Sequence, residues 1–231
     1  MSEAAPLLAV PSDEVARLQR RLDRERKARL EAEATAELGL RTLFERQRQL
    51  ELTRAVATAA YEAASTAAAL EVTLRLLCEF TGWPVGHAFQ PADTGTELVS
   101  TGLWHLAHPE RHGEFRAVSA ASRFALGMGL PGRVWSKGRA VWIVDVTRDP
   151  HFHRVEAARH CGLRGGLAFP VKVGSEVCAV LEFYTPTAAE PDEHLLDILT
   201  QIGTSLGRVF ERVTSAAALQ RARDQLEERV R

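Results

Sequence analysis

Few residues in this chain are of a type and spacing that could do chemistry. There are three cysteines, two small groups of histidines, and an aspartate that closes an apolar run. Cys161 sits in Arg159-His160-Cys161-Gly162, and its plainer role is that of a small, soft residue filling space. Cys78 falls on the apolar face of a helix and Cys178 within a strand core, so neither reads as an exposed thiolate. His105, His108 and His112 form one histidine group and His151 and His153 the other. Spacings of three and four could bring imidazoles together on a helix for a metal or haem. Pro109 interrupts the first group, and no cysteine or carboxylate cluster lies near it. Surface loop histidines are therefore the expectation, with no metal site and no catalytic residue. Asp145 ends an apolar strand. It either reads a donor on a ligand or accepts N–H groups of the loop Thr147–Pro150, and the second role is favoured.

The elements that must position these residues follow from periodicity and punctuation. Residues 1–12 are small, apolar and proline-punctuated, and read as a disordered lead. Ser12 suits the cap of a long helix starting at Asp13. Its seven-residue repeat holds Val15, Leu22, Ala36, Leu43 and Leu50, with Leu18 and Ala32 as companions. Arg29 and Arg46 interrupt that seam, so the coiled coil it predicts is weak. From Ala55 to Phe80 the helix becomes alanine-rich and then apolar, and Thr81-Gly82-Trp83-Pro84 ends it. Strands are expected at Val85–Gln90, Glu97–Leu106, Ala140–Val146, Leu163–Val173 and Glu176–Thr185, and a short helix at Phe115–Leu126. Val173-Gly174-Ser175-Glu176 predicts a hairpin. Beyond Pro191, Leu195, Leu199, Ile202, Leu206, Val209, Val213 and Ala216 alternate spacings of four and three. That alternation slips at Leu219 and Ala222, which overwinds a coiled coil locally.

Composition sets the outer limits. The 231 residues are 45% hydrophobic and 26% charged, with a net charge of −1. Such a balance gives no electrostatic case for nucleic acid or a membrane surface. No apolar run approaches the roughly 20 residues of a membrane span. An odd number of cysteines without framework spacing, and an N-terminus unlike a signal peptide, predict a reduced, cytoplasmic protein.

The segment Gly127–Pro186 carries a family resemblance. Gly129-Leu130-Pro131-Gly132-Arg133-Val134-Trp135 is followed by Val141-Trp142-Ile143-Val144-Asp145 and then by Ala157 to Pro170. This resembles the GAF domain of bacterial sensor histidine kinases and related regulators. The resemblance implies an α+β fold, an antiparallel sheet backed by helices, between long N- and C-terminal coiled-coil helices. The expected division is 13–66 for the N-terminal signalling helix, 67–212 for the GAF domain and 213–231 for the C-terminal helix. A GAF pocket lies between the sheet and the segment after Asp145. The expected ligand-binding residues are therefore Phe89, Trp142, Asp145, Phe152, Val155, Cys161 and Phe169.

Function follows from the same resemblance. It implies a module that senses a small molecule or redox state and relays it through a parallel homodimer to a kinase or other output domain. Leu199, Ile202, Leu206, Val209, Leu219 and Leu226 are expected to hold the dimer. No phosphoacceptor helix or nucleotide box of a kinase is present, and the chain stops in mid-helix, as a sensory part of something longer or a stand-alone regulator would. Its expected standing is that of a non-enzyme with no named cofactor. A cyclic nucleotide is disfavoured because the Asn-Lys-x-x-x-Phe motif is missing. Bilin-binding relatives attach chromophore through a cysteine usually followed by histidine, and here the histidine comes first. A ligand-free scaffold and a GAF-fold methionine sulfoxide reductase are the remaining alternatives.

Overall fold

The computed structural model describes residues 12–230, so the expected lead over 1–12 lies almost wholly outside the described residues. Helix α1 runs over Ser12–Glu62. Its part up to Gln49 forms one compact unit, and the chain from Leu50 onward forms a second. In the first unit Leu18, Leu22, Leu30 and Leu43 are exposed, and i,i+4 pairs such as Arg29–Glu33 at 2.7 Å decorate the helix. The side chain of Val15 lies outside the described residues.

In the second unit Leu52, Val56 and Ala60 of the α1 tail are buried in the core. This unit therefore begins earlier than the expected boundary at 67. The chain then leaves the helix after Glu62, whereas the sequence pattern predicts one continuous through Phe80. Ser65 is extended, and its hydroxyl accepts from Ala68 N at 3.1 Å to cap α2, Thr66–Thr81. Gly82, at φ 71°, ends α2 in the left-handed region that a residue with a Cβ adopts only at a cost.

The rest follows in chain order: β1 Val85–Pro91, β2 Glu97–Leu106, α3 Gly113–Ala121, β3 Arg123–Ala125, α4 Gly129–Lys137, β4 Val141–Ile143, α5 Val155–His160, β5 Gly165–Val173, β6 Glu176–Thr185 and α6 Glu193–Val230. The six strands form one sheet of order β3-β2-β1-β6-β5-β4, with every pair antiparallel. The helix expected over Phe115–Leu126 stops at Ala121, and Phe124 instead pairs with Leu98 across β2 and β3. Asp192 Oδ1 accepts from Leu195 N at 3.1 Å and caps α6.

Strand alternation gives the sheet two buried faces. On the first, Ala88, Leu167, Phe169, Val171, Leu181 and Phe183 pack against α2, α6 and the α1 tail. On the second, Val85, Phe89, Leu98, Val180 and Tyr184 pack with α3, α4 and α5. Leu199, Ile202, Leu206 and Val209 of α6 belong to the first face and are at most 5% exposed. They hold the helix to its own sheet and are not free for a dimer, which corrects that expectation. The α6 backbone comes very close to β5. A Cβ on Gly203 would lie 2.5 Å from Pro170 O, and one on Gly207 would collide with Lys172 O. Farther along, Leu219 is 74% exposed, while the side chain of Leu226 lies outside the described residues.

Candidate functional site

On the second face a charge sits where the pattern calls for an apolar residue. Glu182 lies in the apolar strand β6 and is fully buried. Its cross-strand neighbour on β1 is His87, also fully buried. The third member comes from the far side of the core. Arg154, just before α5, reaches back to the sheet, and its side chain is 1% exposed.

The three groups and their neighbours form a closed set of hydrogen bonds. Arg154 Nη1 donates to Glu182 Oε1 at 2.7 Å and to Ser119 Oγ at 2.7 Å. Arg154 Nη2 donates to Glu182 Oε2 at 2.6 Å and to Tyr184 OH at 2.7 Å. Tyr184 OH in turn donates to Glu182 Oε2 at 2.7 Å, and His87 Nδ1 lies 3.2 Å from Oε1. An ionised carboxylate only accepts, so Nδ1 carries the His87 proton and Nε2 accepts from Ser100 Oγ at 2.8 Å. The four acceptor positions of the carboxylate are thus filled. Around the guanidinium stand Phe124, Phe115, Phe152, Tyr184 and Phe89, with ring centroids 5.0, 5.1, 5.3, 5.6 and 5.8 Å from Cζ. His87 stacks on Trp104 at 3.7 Å.

Charge states follow from this arrangement. Burial alone would raise the Glu182 carboxyl, but the Arg154 charge and its hydrogen bonds hold it at about 2. Burial lowers His87 below its ordinary value against the pull of Glu182, so the imidazole is neutral at pH 7. Burial and the neighbouring carboxylate raise Tyr184 well above its usual range, with the Arg154 charge opposing them.

The loop that delivers Arg154 is anchored by two aspartates. Asp145 accepts from Thr147 N at 3.0 Å, from Thr147 Oγ1 at 2.7 Å and from the Arg164 guanidinium. The Arg164 bonds hold its carboxyl down at about 2. Farther on, Asp149 accepts from Arg133 at 2.9 Å and from His151 N at 2.8 Å. Asp145 therefore organises the loop.

The seven residues expected to line one pocket are divided by the sheet. Phe89 and Phe152 meet around Arg154, and Val155 and Cys161 pack in the same cluster. Trp142 and Phe169 are on the opposite face. There Trp142 Nε1 donates to Ala189 O at 2.6 Å. The split arises because neighbours along a strand point to opposite sides, which Phe169 and Ala168 show on β5.

Cys78 and Cys161 are buried and Cys178 is half-buried. Cys161 is 3% exposed, and burial pushes the Cys78 thiol up to about 12 and the Cys178 thiol up to about 11. Among the described residues no group of three side chains could hold a metal. The His108 and His112 rings are 6.4 Å apart, and His112 Nδ1 is buried without a partner. Arg154, Glu182, His87 and Tyr184 were not singled out from the sequence. The available signal was Glu182 itself, a charge inside the apolar run Val177–Tyr184 of β6.

The GAF domain family matches residues 63–211. The chain belongs to that family. Solved structures agree on the fold. A free methionine-R-sulfoxide reductase from Neisseria meningitidis is 21% identical with a TM-score of 0.61, the match covering 73% of this chain and 91% of that one. The GAF domain of a phosphoenolpyruvate-protein phosphotransferase from Coxiella burnetii is 19% identical with a TM-score of 0.60, over 74% and 98% of the two chains. The corresponding domain from Acinetobacter is 15% identical with a TM-score of 0.59, over 74% and 97%. No curated protein matches. The expectation of a non-enzyme is overturned, because the same GAF fold carries catalysis in the Neisseria reductase. At these identities the likeness shows the fold alone and assigns no reaction to this chain. Among the described residues no helix is long and apolar enough to cross a membrane.

Proposed function

We propose that this GAF domain is a sensory module of signal transduction, with its input at the Arg154 cage and its output through α6. The observation that carries the reading is the buried ionic network on one sheet face, opposite the helix that leaves the domain. Such a pair is a poor way to gain stability, since apolar residues of similar volume do as well or better. Its chemistry suits exchange: an acidic group on a small ligand can replace Glu182 on the Arg154 fork. Glu182 lies beside Ala168 of β5, and β5 is the strand that α6 grips through Gly203 and Gly207. Relay requires two arrangements of α6 that the ligand binds unequally. The segment Ala216–Ala222, where the seam slips, then pairs with a second copy in parallel and passes the state to a kinase or other output domain.

The test fuses the chain to a reporter kinase. Tyr184→Phe removes one hydroxyl from the network and keeps the ring. It is expected to change the basal output while the protein stays folded, at a cost of about 1–3 kcal/mol for the Arg154 donor left without its acceptor. Unchanged output from a folded Tyr184→Phe protein sinks the reading. The fullness of the cage favours a second reading, a ligand-free scaffold for assembly in which Arg154 permanently occupies the ligand's place. Native mass spectrometry of freshly purified protein separates the two, because a sensor retains or takes up a small molecule and a scaffold does not.

A further inference from the structure

A cleft of about 310 Å³ opens on the other side of the sheet, between α6 and the β5–β6 hairpin. Its helix wall is one stripe, Thr200, Gly203, Thr204, Gly207, Arg208 and Glu211, at spacings of three and four. Across from it stand Arg139, Lys172 and the apolar surfaces of Ala140, Phe169 and Pro170. Arg139 follows Gly138, whose φ of 59° ends α4, and Lys172 is near the end of β5. The cleft thus exists because glycines let the helix and the strand backbone meet, leaving a notch beside the contact.

We infer that this cleft is a binding site for a compact multivalent anion on a small apolar body, an organic phosphate or polycarboxylate, held by Arg139, Lys172 and Arg208. Three observations converge. The cleft is concave and has a partly apolar lining, as small-molecule sites do. Arg139, Lys172 and Arg208 come to it from three separate parts of the chain, the α4–β4 connection, β5 and α6. Among the described residues, none of the three side chains has an ion pair or hydrogen bond, although pairs such as Arg133–Asp149 and Arg164–Asp145 are made elsewhere. Guanidinium forks match phosphate and carboxylate oxygens in pairs, and the ammonium adds a point charge. Glu211 stands at the rim and opposes the anion. A wider hollow of about 670 Å³ shares Lys172 and Gly138 and adds Lys137, which leaves room for a larger ligand. This site is separate from the Arg154 cage and does not depend on the sensory reading.

Isothermal titration with pyrophosphate and, in a second arm, citrate tests the inference at constant ionic strength. Saturable binding is expected for at least one, and the stronger of the two identifies the ligand class. Lys172→Ala should raise its dissociation constant roughly tenfold, the worth of one charge-assisted hydrogen bond. The triple variant Arg139→Ala/Lys172→Ala/Arg208→Ala should abolish binding while circular dichroism shows the fold intact, which the exposure of all three side chains favours. Glu211→Gln should tighten binding by removing repulsion. Arg159→Ala, a charge change away from the cleft, should leave binding as it was. No saturable heat with either anion overturns the inference, and so does an unchanged constant in the folded triple variant.

Discussion

The two faces of one sheet are built on opposite principles. The α6 face is held by apolar contact from Leu181, Phe169, Ile202 and Leu206, and by backbone approach at Gly203 and Gly207. The Arg154 face has aromatic walls of the same quality but encloses a carboxylate, a guanidinium and a neutral imidazole. Apolar packing degrades gradually as atoms are removed. A closed polar network fails steeply, because each lost partner strands a buried group. The contrast teaches that burial alone does not rank the sensitivity of a position.

The largest expected effect breaks one partner of the ion pair. Glu182→Gln leaves the Arg154 charge buried and should cost about 3–5 kcal/mol. Leu181→Ala, next in sequence and pointing to the other face, should cost about 2–5 kcal/mol through its cavity. The two costs overlap, so the double variants make the distinction. Arg154→Met with Glu182→Leu removes both charges and should recover most of the loss, whereas Leu181→Ala with Leu206→Ala should lose more than either change alone. Urea unfolding measures all of these. Failure of the charge-free double variant to recover stability would mean that the network acts by geometry that apolar residues cannot replace.

Stability against pH separates the faces next. The Glu182 carboxyl is depressed from 4.5 to about 2, so the folded state holds it ionised more firmly than the unfolded chain does. Its contribution is fully present above pH 4.5 and lost as pH falls toward 2. Asp145, lowered from 3.8 to about 2, adds to the lower part of that window. His87 is lowered from 6.5, so the unfolded chain takes up its proton first, and a shallower loss begins below pH 6.5. Each proton contributes about 1.4 kcal/mol per pH unit at most. Urea midpoints should be flat near pH 7 and fall in these two steps on acidification, while the raised Cys78 and Cys178 thiols bring a separate loss as pH rises above 9.0, where the unfolded chain ionises first. Arg154→Met with Glu182→Leu should remove the part that Glu182 contributes and leave the smaller part from Asp145. A double variant with the full acid loss would place the titrating groups elsewhere.

What the sequence disclosed divides along the same line. The hairpin was legible because Gly174 interrupts two apolar runs, and the end of α2 because Gly82 follows the last apolar turn. The apolar stripe of α6 was legible too, but its partner was not. A seam of fours and threes specifies a buried face without saying whether a second chain or the protein's own sheet covers it. Gly203 and Gly207 beside that stripe were the overlooked clue, since glycine mid-helix is unfavourable unless something must come close. Strand β3 carries no pattern of its own and exists through pairing with β2. The charge of Glu182 inside an apolar run was visible, but its partner Arg154 is 28 residues away in a loop, and only folding brings the two together.

A smaller effect tests the backbone contact on the α6 face. Ala at Gly207 gains up to about 1 kcal/mol of helix propensity. It also drives a methyl into the Lys172 carbonyl, which forces α6 away from β5 and should cost about 1–3 kcal/mol. The net change in melting temperature should be a decrease, while Gly39→Ala, with nothing near its Cβ, should raise it. An increase for Gly207→Ala would show that the helix can move off the strand freely, which is itself the freedom a relay through α6 requires.

The smallest effect on the single chain is the most informative about assembly. Leu219 lies on α6 beyond the sheet and is 74% exposed, so it contributes almost nothing to the fold of one copy. Leu219→Glu should change the unfolding free energy of the isolated domain by less than about 0.5 kcal/mol. The buried seam residues offer no such separation, since Leu206→Asp would bury a charge in the core whether or not the chain dimerises. At Leu219 any loss of association is therefore a direct reading of the distal helix. If this segment pairs with a second copy, the glutamate places like charges at the contact and the dimer should dissociate at micromolar concentration in sedimentation equilibrium. A mutant as dimeric as the parent would move the interface off distal α6 and leave the exposed leucines of α1 as the next place to look.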